Sequence, residues 1–197
     1  MNKTVAILLL GLIVLPACSS TVESSSPQIT ASPQPISTEM KVLPTPSSPG
    51  NSITWNNLQV TMDQLEVTQD YITDYGSSRI PTEGNKFLWV HIRLNNIGQI
   101  EMDIPLPEHF SILYAAVELK PTYGHRAQYM DYTTLGPVIF PKQELEGWLR
   151  FDIPAAAELK DLRFVFLPES SQVGTSFSSP NYPYAEDKPT YVWKCQP

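Results

Sequence analysis

The side chains that most often bind metals or transfer protons are few and widely spaced in this sequence. The histidines are His91, His109 and His125, and no two of them have the spacing of a zinc-binding motif. Asp70 and Asp74 could offer oxygens to calcium, but their loop lacks the full series of ligands in a known calcium motif. We therefore expect no metal site and no cofactor, with the histidines solvated or hydrogen-bonded at the surface.

One pair of carboxylates has a spacing that a hydrolase could use. Glu101 and Asp103 are two residues apart on a predicted strand and would share a face at roughly 6.5–7 Å, within the range of inverting glycosidases. A wetted strand face is the simpler interpretation. His109, His125 and Asp131 would meet only if the fold brought them together. Because the sequence has no Gly-x-Ser-x-Gly turn and no phosphate loop, we expect a protein that is not an enzyme.

Cys18 stands where covalent lipid attachment is expected. Lys3 and an apolar run over residues 5–15 precede Leu15-Pro16-Ala17-Cys18. The run is shorter than the ~20 residues of a membrane span and suits an export signal. Its end resembles the bacterial lipobox, in which the cysteine takes a diacylglycerol and further acyl chains such as palmitate. We expect residues 1–17 to be a signal peptide and lipid on Cys18 to anchor the chain to a bacterial membrane; an ordinary secretory signal is the alternative.

The position after the cysteine and the net charge bear on location and partners. Ser19 favours the outer membrane if the host has two membranes, since aspartate there marks inner-membrane retention in many lipoproteins. The formal charge is −7 and becomes −8 once Lys3 is removed with the signal. An acidic domain outside the cytoplasm is repelled by nucleic acid, so we expect no nucleic-acid partner. Lipidation of Cys18 would leave Cys195 without an intrachain partner, buried and inert or paired with another molecule.

Residues 18–50 join the lipidated cysteine to the rest of the chain. Ser, Thr and Pro account for 19 of the 32 residues 19–50. Such a stretch buries too little apolar surface to offset its ordering entropy. The sequence therefore predicts a disordered linker that holds a domain away from the lipid surface.

From Asn51 to Pro168 the sequence alternates apolar and polar residues over short runs. Six runs have this pattern and are predicted to be strands: 58–67, 86–95, 100–104, 110–114, 145–153 and 162–166. A change of parity near Asp63-Gln64 indicates a β-bulge, and the only helix candidate is a single turn over 155–159. This pattern is typical of an antiparallel, immunoglobulin-like β-sandwich. Residues 169–197 are expected to be irregular, with a possible edge strand over Thr190–Cys195.

Three segments resemble an uncharacterised, immunoglobulin-like domain family found at the C-terminal end of bacterial lipoproteins, a group that includes a mycobacterial secreted immunoprotective protein. The segments are residues 84–98 (Gly-Asn-Lys, a strand, then Asn-Asn-Ile-Gly), residues 110–114 (Phe-Ser-Ile-Leu-Tyr) and residues 140–154 (Phe-Pro-Lys through Gly-Trp-Leu-Arg-Phe-Asp-Ile-Pro). The resemblance implies a fold and an extracellular setting and brings no catalytic residues. It does not extend to the tail or to the loop from Tyr123 to Pro137.

The residues of two strands that point away from the predicted core form the candidate binding site. If Leu88 and Leu149 face the core, the neighbouring positions face outward. The candidate binding residues are Trp89, His91, Arg93, Trp148 and Arg150. Trp and Arg often anchor protein interfaces, so an exposed Trp–Arg patch would indicate a partner. The alternative is that the tail covers the patch, since it contains Tyr182, Tyr184, Tyr191 and Trp193.

The sequence thus predicts a surface-tethered, non-enzymatic binding or protein-interaction lipoprotein of the bacterial envelope. Its expected partners are the membrane, through lipid on Cys18, and an envelope or extracellular protein. The alternatives are a hydrolase acting on envelope polymers and a purely structural envelope protein.

Overall fold

The computed structural model describes residues 44–169 and 188–196, which form two facing antiparallel sheets. The predicted signal peptide, Cys18 and residues 19–43 of the predicted linker lie outside the described residues. The first sheet has the order β1-β2-β5-β10: Ser52–Trp55, Leu58–Thr68, Asn85–Asn96 and Glu144–Pro154. The second has the order β12-β11-β7-β8: Tyr191–Lys194, Arg163–Phe166, Phe110–Tyr114 and Val117–Leu119. The predicted all-β sandwich is therefore confirmed.

Two small ribbons lie outside the main sheets. One pairs β3 (Tyr71–Ile72) with β4 (Ser78–Arg79), and the other pairs β6 (Met102–Asp103) with β9 (Val138–Ile139). Short 3₁₀ helices span Pro107–His109, Tyr132–Thr134 and Leu159–Asp161. In the described residues no helix is long and apolar enough to cross a membrane.

The core lies between the two sheets. Leu88, Val90 and Ile92 of β5 face Phe110 and Ile112 of the second sheet, and none of the five side chains is measurably exposed. The tail contributes as well, because Trp193 of β12 is buried against Phe164. The predicted edge strand at the end of the chain therefore forms, and its Trp193 side chain belongs to the core of the sandwich.

The end of the predicted linker also joins the fold. The Ser47 N–H donates to the carbonyl of Val192, and the Lys194 N–H donates to the carbonyl of Ser47, each at 2.8 Å. Ser47 thus pairs with the outer edge of β12 before the chain crosses to β1. This pairing satisfies backbone groups that an open sheet edge would leave without partners.

Two predicted elements are shorter or displaced. The strand predicted over 100–104 is reduced to β6, and Ile100 is 73% exposed. The Ile100 carbonyl accepts from the buried Asn96 side-chain amide at 2.7 Å instead of pairing with a neighbouring strand. The same amide also donates to the Ile139 carbonyl at 3.0 Å. The helical turn predicted over 155–159 instead begins at Leu159.

Cys195 is buried, as expected, with 1% of its surface exposed. Removal from water disfavours the thiolate, and burial raises the pKa of Cys195 to about 12. This thiol is therefore a core side chain with little nucleophilic character at neutral pH.

The hairpin between β7 and β8 stores strain that substitution should release. Ala115 and Ala116 form its two-residue turn with φ of 47° and 65°, values suited to Asn and Gly. We predict that Ala115→Asn with Ala116→Gly raises the free energy of unfolding by about 1 kcal/mol, measured by urea denaturation. The matched control is Asn57→Gly in the β1–β2 turn, where asparagine already tolerates φ of 66° and a smaller gain is expected. Equal gains in both turns would contradict the strain argument.

Candidate functional site: the covered face of the first sheet

The outer face of the first sheet begins at a β-bulge. The pairing of β2 with β5 shifts between Met62 and Gln64, so the predicted bulge is confirmed at Asp63. Its carboxylate accepts a hydrogen bond from His91 Nδ1 at 2.7 Å and another from Arg93. A bulge re-aims a side chain, and here it allows one carboxylate to bind two residues of the neighbouring strand.

His91 is buried, with 6% exposed, although it was expected at the surface. Its ring packs against Trp148 with centroids 4.8 Å apart, and its Nε2 lies 3.8 Å from Glu146 Oε2. The Arg93 side chain is 40% exposed and its Nε lies 3.8 Å from Glu144 Oε1. The prediction that both residues would be free to contact a ligand is therefore wrong for His91, which neighbouring side chains enclose.

The exposure predicted for Trp89 is also wrong. Only 1% of Trp89 is exposed, because Tyr71 and Tyr129 pack edge-on against the ring at centroid distances of 5.0 and 5.8 Å. The indole N–H donates to Thr68 Oγ1 at 3.2 Å. Tyr129 also stacks on the half-buried Trp148 at 4.2 Å.

Among the described residues, two loops cover this face. They are residues 69–84, which contain the β3–β4 ribbon, and residues 120–137; we call them the covering loops. The Ala127 N–H donates to the Ile72 carbonyl at 2.8 Å and joins one loop to the other. Tyr191 and Trp193 instead pack on Phe166 and Phe164 of the second sheet. Tyr182 and Tyr184 lie outside the described residues.

The second covering loop also pairs with the edge of β10. The Thr122 N–H donates to the Arg150 carbonyl at 2.7 Å, and the Trp148 N–H donates to the Met130 carbonyl at 2.8 Å. Past this edge the loop turns into the sandwich, where Tyr132 is 2% exposed. Gly147 permits the entry, because a Cβ at that position would lie 2.7 Å from Tyr132 Cα.

A charged cluster attaches this loop to β2. Arg126 Nη2 donates to Glu66 Oε1 at 2.8 Å, and the Tyr129 hydroxyl donates to Glu66 Oε2. The guanidinium carbon of Arg126 lies 4.3 Å from the centroid of Tyr129 and 5.5 Å from that of Trp89. The hydrogen bond from Arg126 lowers the pKa of Glu66. The pKa of Tyr129 is raised, mainly by burial and to a smaller extent by its hydrogen bond to Glu66.

Arg150 forms the floor of a cavity of about 360 Å³ between the covering loops. Its Nη1 donates to Tyr71 Oη at 2.6 Å, and its Nε donates to Thr122 Oγ1 at 3.0 Å. The guanidinium lies 5.0 Å from the centroid of Phe87. Asp152 Oδ1 is 3.5 Å from Arg150 Nε. Contacts on several sides thus fix the guanidinium at the base of the cavity.

Gly124 lies against this arginine. A Cβ at Gly124 would be 2.5 Å from Arg150 Nη1 and 2.8 Å from Tyr71 Oη. A side chain at this position would therefore displace the Arg150 guanidinium or the Tyr71 hydroxyl from the positions described. Arg150, which the sequence placed in an exposed patch, instead lies at the base of a cavity.

The rim of the cavity is apolar and exposed. Tyr75 is 90% exposed, Ile80 is 78% exposed and Tyr123 is 71% exposed, and all three line the cavity. None of them was singled out from the sequence as a binding residue. The runs Tyr71 to Ile80 and Tyr123 to Pro137 show no strand periodicity, so their placement required the fold.

His125 and Asp131 do come together in the second covering loop. His125 Nδ1 lies 2.9 Å from Asp131 Oδ2, and the Thr133 N–H and hydroxyl each donate to Asp131 Oδ1 at 2.8 Å. His109 does not join them, since its Nδ1 accepts from the Leu106 N–H at 3.2 Å. Burial lowers the pKa of His109. Within the described residues, no group of three or more His, Cys, Asp or Glu side chains could hold a metal ion.

The other sequence candidates do not form sites. The strand that was to hold Glu101 and Asp103 begins only at Met102, so the predicted shared strand face does not include Glu101. A second cavity of about 620 Å³ is lined mainly by Pro and apolar residues, including Ile104, Leu106 and Leu135. The described residues that line this second cavity include no arginine or lysine. The cavity over Arg150, which has an oriented cation, is therefore the stronger candidate for specific recognition.

These features define a class of protein: an antiparallel β-sandwich whose strand β5 is buried on both faces, with an open cavity in the covering layer. The chain belongs to the family described as Domain of unknown function (DUF4352), which matches residues 47–172. This confirms the resemblance to a family of uncharacterised domains. No functionally curated protein matches the sequence.

Solved structures that resemble this one are distant in sequence. The yjhA protein from Bacillus subtilis has a TM-score of 0.53 and 16% identity, over 75% of this chain and 97% of that one. A functionally unknown protein from Listeria monocytogenes has a TM-score of 0.49 and 12% identity, over 77% and 85%. The secreted protein MPT63 from Mycobacterium tuberculosis has a TM-score of 0.49 and 13% identity, over 78% and 99%. At 16% identity, the likeness to the yjhA protein shows the fold alone.

The Glu66 cluster should make the stability of the covering layer depend on pH. Because the pKa of Glu66 is lowered on folding, its contribution is present above the unfolded pKa near 4.5 and is lost as the pH falls below that value. We predict that Glu66→Gln lowers the free energy of unfolding at pH 7 by about 1 kcal/mol or less, because the side chain is 38% exposed and solvent screens the pair. The loss should shrink towards pH 3.

Urea unfolding followed by tryptophan fluorescence at pH 7 and pH 3 measures this difference. The control is Glu158→Gln, which removes the same charge from an exposed pair with Lys160 and should change nothing resolvable. A Glu66→Gln effect that is equal at both pH values would contradict the ionic role of Glu66.

Proposed function

We propose that this protein is a non-enzymatic interaction module of the bacterial envelope, tethered by lipid on Cys18 and by a linker that begins at Ser19 and ends before Ser47. The observation that carries the proposal is the exposed rim of Tyr75, Ile80 and Tyr123 around a cavity with a fixed arginine. Exposed apolar side chains gathered around a concave surface are typical of partner sites in soluble domains. The proposed occupant is an envelope or extracellular protein.

The local order of the site supports this role. The rim residues belong to loops held by hydrogen bonds to each other and to β10, such as Ala127 to Ile72 and Thr122 to Arg150. A partner that binds to loops with an ordered backbone loses less conformational entropy on binding. Tyr and Arg are also the residue types that most often dominate binding energy at interfaces.

The proposed location depends on the N-terminal residues. Lys3, the apolar run over 5–15 and the lipobox-like residues 15–18 support export and lipid attachment. Two or three acyl chains make attachment essentially permanent, at ~0.8 kcal/mol for each buried methylene group. Ser19 favours the outer membrane in a host that has one. The negative net charge disfavours nucleic acid as a partner.

A hydrolase acting on envelope polymers is less well supported. Such an enzyme needs two carboxylates at one cleft, and Asp152 is the one carboxylate that the described residues place on the wall of the Arg150 cavity. Asp152 is already engaged by the Thr122 hydroxyl at 3.4 Å and by Arg150. The arrangement suits recognition better than general acid–base catalysis.

The anchor can be tested by Cys18→Ser. We expect the variant to lose incorporation of labelled palmitate and to move from the membrane fraction to the soluble exported fraction, because a serine hydroxyl cannot form the thioether to diacylglycerol. Ser19→Ala serves as the control and should remain in the membrane fraction. Membrane association of Cys18→Ser equal to that of the unaltered protein would contradict the lipid anchor.

The partner site can be tested by site-specific photocrosslinking of the full-length protein in its living host. A benzophenone amino acid at Tyr75 is expected to give one defined protein adduct, identified by mass spectrometry. The same group at Val117, which is 57% exposed on β8, should not give that adduct. Ile80→Glu should abolish the Tyr75 adduct, because it places a charge in the apolar rim. No adduct at Tyr75, or an equal one at Val117, would contradict the proposal.

A further inference from the structure

We infer that the cavity over Arg150 binds a carboxylate carried by an acidic peptide segment of the partner. The inference rests on the proposed function and names the chemistry of the group that would enter the cavity. It starts from a contrast in charge. The chain as a whole is acidic, at −7, whereas this cavity is lined by Arg79 and Arg150 and by Asp152 as its one carboxylate among the described residues.

Arg150 is oriented before any ligand arrives. Tyr71 and Thr122 accept from its Nη1 and Nε, and Phe87 packs against its plane. A guanidinium has five N–H donors in a rigid fork, so further donors lack a partner in the described residues. A planar, fixed guanidinium matches the two oxygens of a carboxylate. The conformational entropy of this long side chain is therefore already lost on folding and is not lost again on binding.

Arg79 supplies the second cation. It lies on β4 at the edge of the cavity, is exposed, and forms no ion pair with any of the described residues. Arg150, by contrast, is partly neutralised by Asp152. Arg79 therefore provides the net positive charge that a ligand would meet, and its salt-sensitive attraction would steer an acidic segment towards the cavity.

The lining favours a carboxylate over a phosphate. Asp152 Oδ1 lies 3.5 Å from Arg150 Nε, so an anion bound at Arg150 is close to a second negative charge. That repulsion is about twice as large for a dianion as for a monoanion. The exposed rim of Tyr75, Ile80 and Tyr123 offers apolar surface to flanking side chains, which a peptide has and a small free anion lacks.

The test uses three probes on the full-length protein: an N-acetylated, C-amidated pentapeptide with two central glutamates, its glutamine counterpart, and inorganic phosphate. Binding is measured by NMR titration of backbone amides. We expect the glutamate peptide to shift amides in residues 71–82 and 122–125, and to bind about tenfold or more tightly than the glutamine peptide, since charge-assisted hydrogen bonds are lost. Phosphate should not compete at equal concentration.

A pair of variants with the same change of charge makes the test specific. Arg79→Gln should weaken the glutamate peptide several-fold, and Lys194→Gln on the exposed part of β12 should leave its affinity unchanged. Both positions are exposed, so neither variant is expected to unfold. Equal binding of the two peptides, equal effects of the two variants, or phosphate competition would overturn the inference. If photocrosslinking at Tyr75 still gives its defined adduct in that case, the interaction module stands and only the carboxylate ligand is wrong. If no defined adduct forms at Tyr75, the proposed function itself is overturned.

Discussion

The burial of strand β5 on both faces is the constraint on which the rest of the structure depends. Its residues from Phe87 to Ile92 form an uninterrupted buried run. One face packs into the sandwich, but Phe87 and Trp89 on the other face would expose two large rings to water. Burying each ring is worth about 3 kcal/mol, so the chain gains stability by covering them. The covering loops supply that layer in place of a third sheet.

The covering layer combines apolar ring contacts with hydroxyl groups that have hydrogen-bond partners. Tyr71 and Tyr129 present ring edges to Trp89 and direct their hydroxyls to Arg150 and Glu66. Burying a tyrosine ring therefore leaves no isolated polar group. The same tyrosine–arginine contact that completes the cover orients the guanidinium at the base of the cavity. The packing of the cover and the proposed recognition thus involve the same side chains.

The sandwich could be predicted from the sequence because alternation along each strand is a local signal. The bulge at Asp63 was visible as a change of parity between Met62 and Leu65. The covered face was not predicted, because Trp89 was read as the polar half of an alternating strand. Phe87-Leu88-Trp89-Val90 is also a continuous apolar run, which is the pattern of a strand buried on both faces. This apolar run in the sequence indicated that a second layer would cover the outer face of β5.

The cavity itself could not be predicted from the sequence. Tyr75 and Tyr123 are 48 positions apart in the sequence and lie in loops without periodicity. They line the same cavity because the Ala127 N–H donates to the Ile72 carbonyl and Gly124 allows close approach to Arg150. Such contacts depend on tertiary folding, and single residues carry no mark of them.

The central claim is that the covering loops are ordered parts of the domain, and amide hydrogen exchange tests it most directly. The amides of Thr122 and Trp148 take part in hydrogen bonds between the second covering loop and β10, and the Ala127 amide joins the two covering loops. Slow exchange at these three positions, comparable with that of the β5–β10 ladder, is the predicted result. Exchange of the Thr122 and Ala127 amides at the rate of an unstructured peptide, while the ladder stays protected, would show that the face of Trp89 is open and would contradict the account.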